Sequence, residues 1–178
     1  TSQHLLPEDA EQLHRQIQIV RATPIPTAQR RKLLDLLYSH TERLVHAELP
    51  ELHSASLPVS RRIRQRVRGL QDLLETLAQD YLNTLSELFD PQAVESHHAP
   101  QETLTKALRC MVWNIRISHL VASPTALGQW TELHSTFNTA RQLGLITPSG
   151  NRQPGSLEHL YLCALLVAIA QPASFNSH

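Results

Sequence analysis

Little in this sequence suits a sheet, a disulfide scaffold or a charged binding tail. Of its 178 residues only five are glycine while eleven are proline, which leaves few tight hairpins and several points where helices must stop. There are only two cysteines, with no CxxC and no histidine cluster beside them, which excludes a zinc site of the usual spacing. Cys110 and Cys163 both lie in apolar stretches, so buried thiols are expected rather than a disulfide, as in an intracellular protein. Net charge is missing too: sixteen Lys and Arg face sixteen Asp and Glu, eleven of each up to Phe89 and five of each beyond it. A generic nucleic-acid or membrane-surface binder carries an excess of positive charge that this chain lacks. No basic segment leads into an apolar one at the start, and the longest apolar run, residues 160–170, is about half of what a membrane-spanning helix needs. Cytoplasmic location without membrane insertion is the expectation.

What is present suits a packed helical domain. Apolar residues at 41% with 18% charged are too rich for disorder. A chain of this length buries roughly 70% of its unfolded surface and needs neither disulfide nor metal to be stable. It begins at Thr1 without methionine and reads as a single helical domain, 1–178, excised from a longer chain.

Period and punctuation predict six helices. The first spans 7–22, with Pro7, Glu8, Asp9 and Glu11 in its opening turn and Leu13, Ile17 and Val20 as its apolar stripe. Thr27 is a candidate N-cap for the second, whose Leu33, Leu34, Leu37, Leu44 and Val45 repeat at threes and fours until Pro50 closes it. The third, 60–89, is the longest. Ile63, Val67, Leu70, Leu74, Leu77, Tyr81 and Leu85 make a near-heptad seam along it, which marks it as the spine of the domain. A polar loop at 91–100 carries His97 and His98. The fourth helix follows Pro100, with Leu104, Leu108, Met111, Val112, Ile115 and Leu120 facing inward. The fifth starts at Ser123-Pro124, turns Leu127, Trp130, Leu133, Phe137, Ala140 and Leu143 to one face, and stops at Gly144. A sixth fills 156–171. No stretch alternates over strand length, so the fold class is all-α, an antiparallel bundle of about six helices.

Chemistry is scarce. The eleven histidines include no HExxH and no i, i+4 pair, so they are expected to bind no metal, and no cofactor is implied. GxSxG, P-loop and GxGxxG motifs are all missing, which argues against an enzyme. The unusual feature is RRIRQRVR at 61–68, five of the chain's sixteen cations in eight residues. On a helix Arg61, Arg64 and Arg68 share one flank and Arg62 and Arg66 the other, with Ile63 and Val67 between them on the core side. One reading is a solvated face paired with acids such as Asp72 and Glu75 on the same helix. The other follows from arginines in a first turn opposing the helix dipole: an anionic neighbour, either a protein or a ligand.

The pattern Trp130-x2-Leu133-x3-Phe137 with Ala140 resembles the first helix of a tetratricopeptide repeat. However, His134 replaces the expected small residue, the loop after Gly144 is too long, and no 34-residue repeat follows. A tetratricopeptide-like C-terminal hairpin is therefore expected rather than an array. Four stretches in order, 27–37 (TAQRRKLLDLL), 57–85 (LPVSRRIRQRVRGLQDLLETLAQDYLNTL), 129–145 (QWTELHSTFNTARQLGL) and 156–172 (SLEHLYLCALLVAIAQP), resemble the N-terminal helical region of large proteobacterial proteins. Those proteins carry a PilZ-like, cyclic-di-GMP-associated domain towards the C-terminus. The resemblance implies a regulatory or scaffolding module. PilZ domains bind the dinucleotide with RxxxR followed by a D/N-x-S-x-x-G strand. Arg64-x3-Arg68 and Arg62-x3-Arg66 fit the first element in letters only, and the second is missing. The expectation is a protein–protein interaction or regulatory module of a bacterial cytoplasmic signalling protein. The alternative is a sensor of an anionic nucleotide such as cyclic-di-GMP through the arginine helix.

Overall fold

A computed structural model of the chain describes residues 7–54, 61–88, 98–121 and 123–142. These form five α-helices: α1 (Pro7–Ala22), α2 (Thr27–Ser54), α3 (Arg61–Leu88), α4 (His98–Leu120) and α5 (Ala126–Gln142). Among the described residues there is no strand. The all-α class follows directly from the apolar spacing, most clearly in α3. There Val67, Leu70, Leu74, Leu77, Tyr81 and Leu85 are all buried, with Ile63 half-buried at the start of the seam.

Cross-helix partners fix the topology. Between α2 and α3, Thr27 pairs with Glu87, Asp35 with Tyr81 and Glu51 with Arg66, so the two run antiparallel. Between α2 and α4, Arg31 lies near Glu102, Asp35 near Lys106 and Tyr38 on Trp113, so those two are parallel. Likewise α1 runs parallel to α3, joined by His14 with Thr76 and Arg21 with Asp80. The result is an up-down bundle in which α3 touches α1, α2 and α4, its largest interface being with α4, while α5 packs on α4. The interior is stitched by polar contacts. The Tyr81 hydroxyl donates to Asp35 Oδ1 at 2.8 Å, and Lys106 Nζ approaches the same oxygen at 2.9 Å. Burial, with Asp35 beside it, pushes the Tyr81 phenol far above its ordinary range. Cys110 is a buried free thiol, and burial pushes it up as well.

Five expectations need correcting. The fourth helix does not wait for Pro100: α4 begins at His98 and carries Pro100 in its first turn, where a missing backbone N–H costs no helical bond. Pro50 does not close α2: the helix continues to Ser54. The proline forfeits the bond to the carbonyl four residues back, and burial of Leu49 and Leu52 on either side holds the last turns against the core. Thr27 is the first helical residue rather than a cap, since its hydroxyl donates to Glu87 Oε2. Leu33 and Leu127 are exposed, not inward. In each case a direct neighbour, Leu34 or Ala126, holds the buried position, and the next residue is turned about 100° away. The structure shows α5 starting two residues later than Pro124, with Ser123 Oγ accepting from the backbone N–H of Thr125. The expected sixth helix at 156–171, and with it the second arm of the hairpin, lies outside the described residues, as do His97, Leu143 and Cys163.

Candidate functional site

The arginine run occupies the first two turns of α3, where no acidic side chain offsets the positive end of the helix dipole. The structure splits the run. Arg66 is half-buried and turned towards the end of α2, with its Nη2 3.0 Å from Glu48 Oε2 and 2.6 Å from Glu51 Oε2. Glu48 is buried; desolvation raises its carboxyl above the usual range, and Arg66 pulls it part of the way back. Arg61, Arg62, Arg64 and Arg68 are exposed, and none forms an ion pair among the described residues. Pairing along the helix with Asp72 and Glu75 does not occur. The acids that neutralise the run come from α2 and take Arg66 alone.

Arg64 and Arg68 edge a groove of about 720 Å³. It exists because α5 leans on α4, leaving α3 and α5 as two walls over a floor that includes Met111 and Asn114. A polar chain links the walls: Gln71 Nε2 donates to Ser118 Oγ at 2.7 Å, which donates to Gln129 Oε1 at 2.6 Å. Asn114 is only 6% exposed, and its Oδ1 accepts no hydrogen bond. Further along, the groove meets Asp72 and Glu75 on α3 and Glu132 on α5. Its charge therefore runs from two guanidinium groups at one end to three carboxylates further on.

Arg61 and Arg62 stand outside this lining, so the structure gathers only Arg64 and Arg68 of the five predicted site residues. The polar chain through Gln71, Ser118 and Gln129 was not foreseen from the sequence: it converges from three helices, and no motif spacing announces that. Among the described residues no group of three metal-ligating side chains comes together, and no helix is long and apolar enough to cross a membrane.

Residues 3–178 match the family described as the N-terminal domain of the cyclic-di-GMP receptor FimW, and the chain belongs to that family. No curated protein and no solved structure matches it.

Proposed function

We propose that this domain is a non-catalytic protein-recognition module of a bacterial cytoplasmic signalling protein, in which a PilZ-like domain elsewhere in the receptor handles cyclic-di-GMP. In this reading the α3–α5 groove takes a partner segment whose acidic residue seats at Arg64 and Arg68. The carrying observation is the mixed sign of the groove. Two cations stand beside Asp72, Glu75 and Glu132, a surface that repels a ligand made mostly of phosphate but suits a polypeptide bearing both charges. The open Arg64 and Arg68 forks are shaped for carboxylates. Membership in a receptor's N-terminal domain family supports a regulatory setting.

The test is selection of a random peptide library displayed on phage against the intact domain, followed by calorimetry. Selected peptides should carry an acidic and a basic residue. Arg64→Glu with Arg68→Glu should abolish binding, and exchanging the peptide's acid for lysine should restore it. Cyclic-di-GMP should give no heat. Heat that disappears in Arg64→Gln with Arg68→Gln would instead establish the nucleotide sensor, and peptides indifferent to both arginines would sink the groove assignment.

A further inference from the structure

We propose that the shallow apolar depression where α1 meets α2 docks an amphipathic helix of a partner protein, apolar on one face and edged with Asp and Glu. This surface is separate from the groove beside Arg64. Ile19, Leu36 and Leu33 line it, 64%, 62% and 40% exposed, and they are three of the four large apolar side chains left open among the described residues. Val20 and Leu37 line the same depression, of about 350 Å³. Single exposed leucines need no explanation, but three gathered from two helices into one depression make a patch of the kind that marks an interaction site.

The edge of the depression commits the partner's chemistry. Arg15 lies one turn before Ile19, Lys32 one turn before Leu36, and all four are exposed. The Arg43 guanidinium donates to Nδ1 of His40, which itself lines the depression. Among the described residues the carboxylate at this edge is Glu11, 3.7 Å from Arg15. Asp35 is held away from it by Tyr81 and Lys106. A second copy fits poorly, because a two-fold pairing sets this cationic edge against itself. A helix with apolar residues at i, i+3 and i+4 and acids beside them satisfies both the floor and the edge.

Fluorescence anisotropy on the intact domain tests this with two synthetic amphipathic helices that share one leucine face, one flanked by Glu and the other by Lys. The Glu helix should bind, with the Lys helix weaker by about tenfold or more, since three exposed charge contacts change sign. Leu36→Glu or Ile19→Glu should each remove binding without lowering the melting temperature. Reversing Arg15, Lys32 and Arg43 to Glu should invert the preference. Arg64→Glu with Arg68→Glu should leave this binding intact, which separates it from the fate of the groove assignment. Equal affinity for both helices, or none for either, overturns the proposal. So does a dimer in sedimentation that Leu36→Glu dissolves, since that assigns the face to a second copy.

Discussion

Replacing Arg66 by methionine keeps the aliphatic packing of the side chain but leaves the buried Glu48 carboxylate facing only the more open Glu51. Removing one partner of a fully buried ion pair costs about 3–5 kcal/mol. Arg66 is partly open to water, which reduces the loss to about 2 kcal/mol. For a domain of this size that lowers the melting temperature by about 4–8 °C. Arg64→Gln and Arg68→Gln, on exposed side chains, should stay within about 0.5 kcal/mol of the parent. Proton linkage supplies a second, independent signature. Burial already raises the Glu48 carboxyl above its ordinary 4.5, and Arg66 is what lowers it, so the substitution raises it further. A raised carboxyl binds its proton more tightly in the folded state. Its stabilising contribution is therefore complete below about pH 4.5 and is lost as pH climbs through the folded value. The Arg66→Met penalty should accordingly be large at neutral pH and shrink towards pH 4.5, and adding Glu48→Gln should recover most of it. Circular-dichroism melts of the parent, Arg66→Met, Arg66→Met with Glu48→Gln, Arg64→Gln and Arg68→Gln at both pH values decide the matter. A penalty independent of pH, or one no larger than that of Arg64→Gln, refutes the assignment of Arg66 as the structural member of the run.

Other consequences of the packing are open to the same melts. Leu77 is wholly buried on the α3 seam, so Leu77→Ala should cost about 2–5 kcal/mol by urea denaturation; an unchanged midpoint would mean that α3 is not the spine. A methyl group placed on Gly69 would meet Ala10 Cβ at an ordinary 3.8 Å, so Gly69→Ala should raise stability by about 0.5–1 kcal/mol, and a loss would show that α1 and α3 pack more tightly than this. Tyr81→Phe deletes one bond to Asp35 while Lys106 remains, a loss of about 1–2 kcal/mol expected in thermal melts. Burial lowers the His119 imidazole, so the stability it contributes is present above about pH 6.5 and lost as pH falls; His119→Gln should flatten that acid limb of the profile.

The helices were legible because their burial is one-sided. A seam such as Val67, Leu70, Leu74, Leu77, Tyr81 and Leu85 can bury itself only as a helix, and Pro7, Pro24 and Pro26 bound α1 by chemistry that operates locally. Pro50 misled for the same reason. Its local penalty is real, but Leu49 and Leu52 act through tertiary burial that adjacent residues do not announce. Leu33 and Leu127 show the resolution of periodicity: where two apolar residues are adjacent, spacing alone does not say which faces the core.

The site was legible only to the level of one cluster of residues. Helical geometry placed Arg61, Arg64 and Arg68 on one flank, yet which arginine is consumed depends on acids fifteen and eighteen positions earlier, on another helix. Arg66 reaches them because α2 runs antiparallel past α3 and carries Glu48 and Glu51 one turn apart at the matching height. Arg64 and Arg68 face the opposite way, over a wall that α5 builds only once it has settled on α4. The division of the run into one structural member and four exposed arginines, of which Arg64 and Arg68 edge the groove, is thus a property of topology. It also explains why five like charges persist at the positive end of a helix dipole. One is neutralised by a clamp that ties α2 to α3, and the remaining exposed charges carry their small dipole penalty in water, where screening keeps each to a few tenths of a kcal/mol, ~0.3 at most surface sites. A penalty that small is outweighed by a single desolvated carboxylate from a partner, worth about 1.5–3 kcal/mol against an arginine fork. The exposed charges are therefore tolerated in the free domain, and the acidic partner proposed for the groove would relieve the penalty at Arg64 and Arg68.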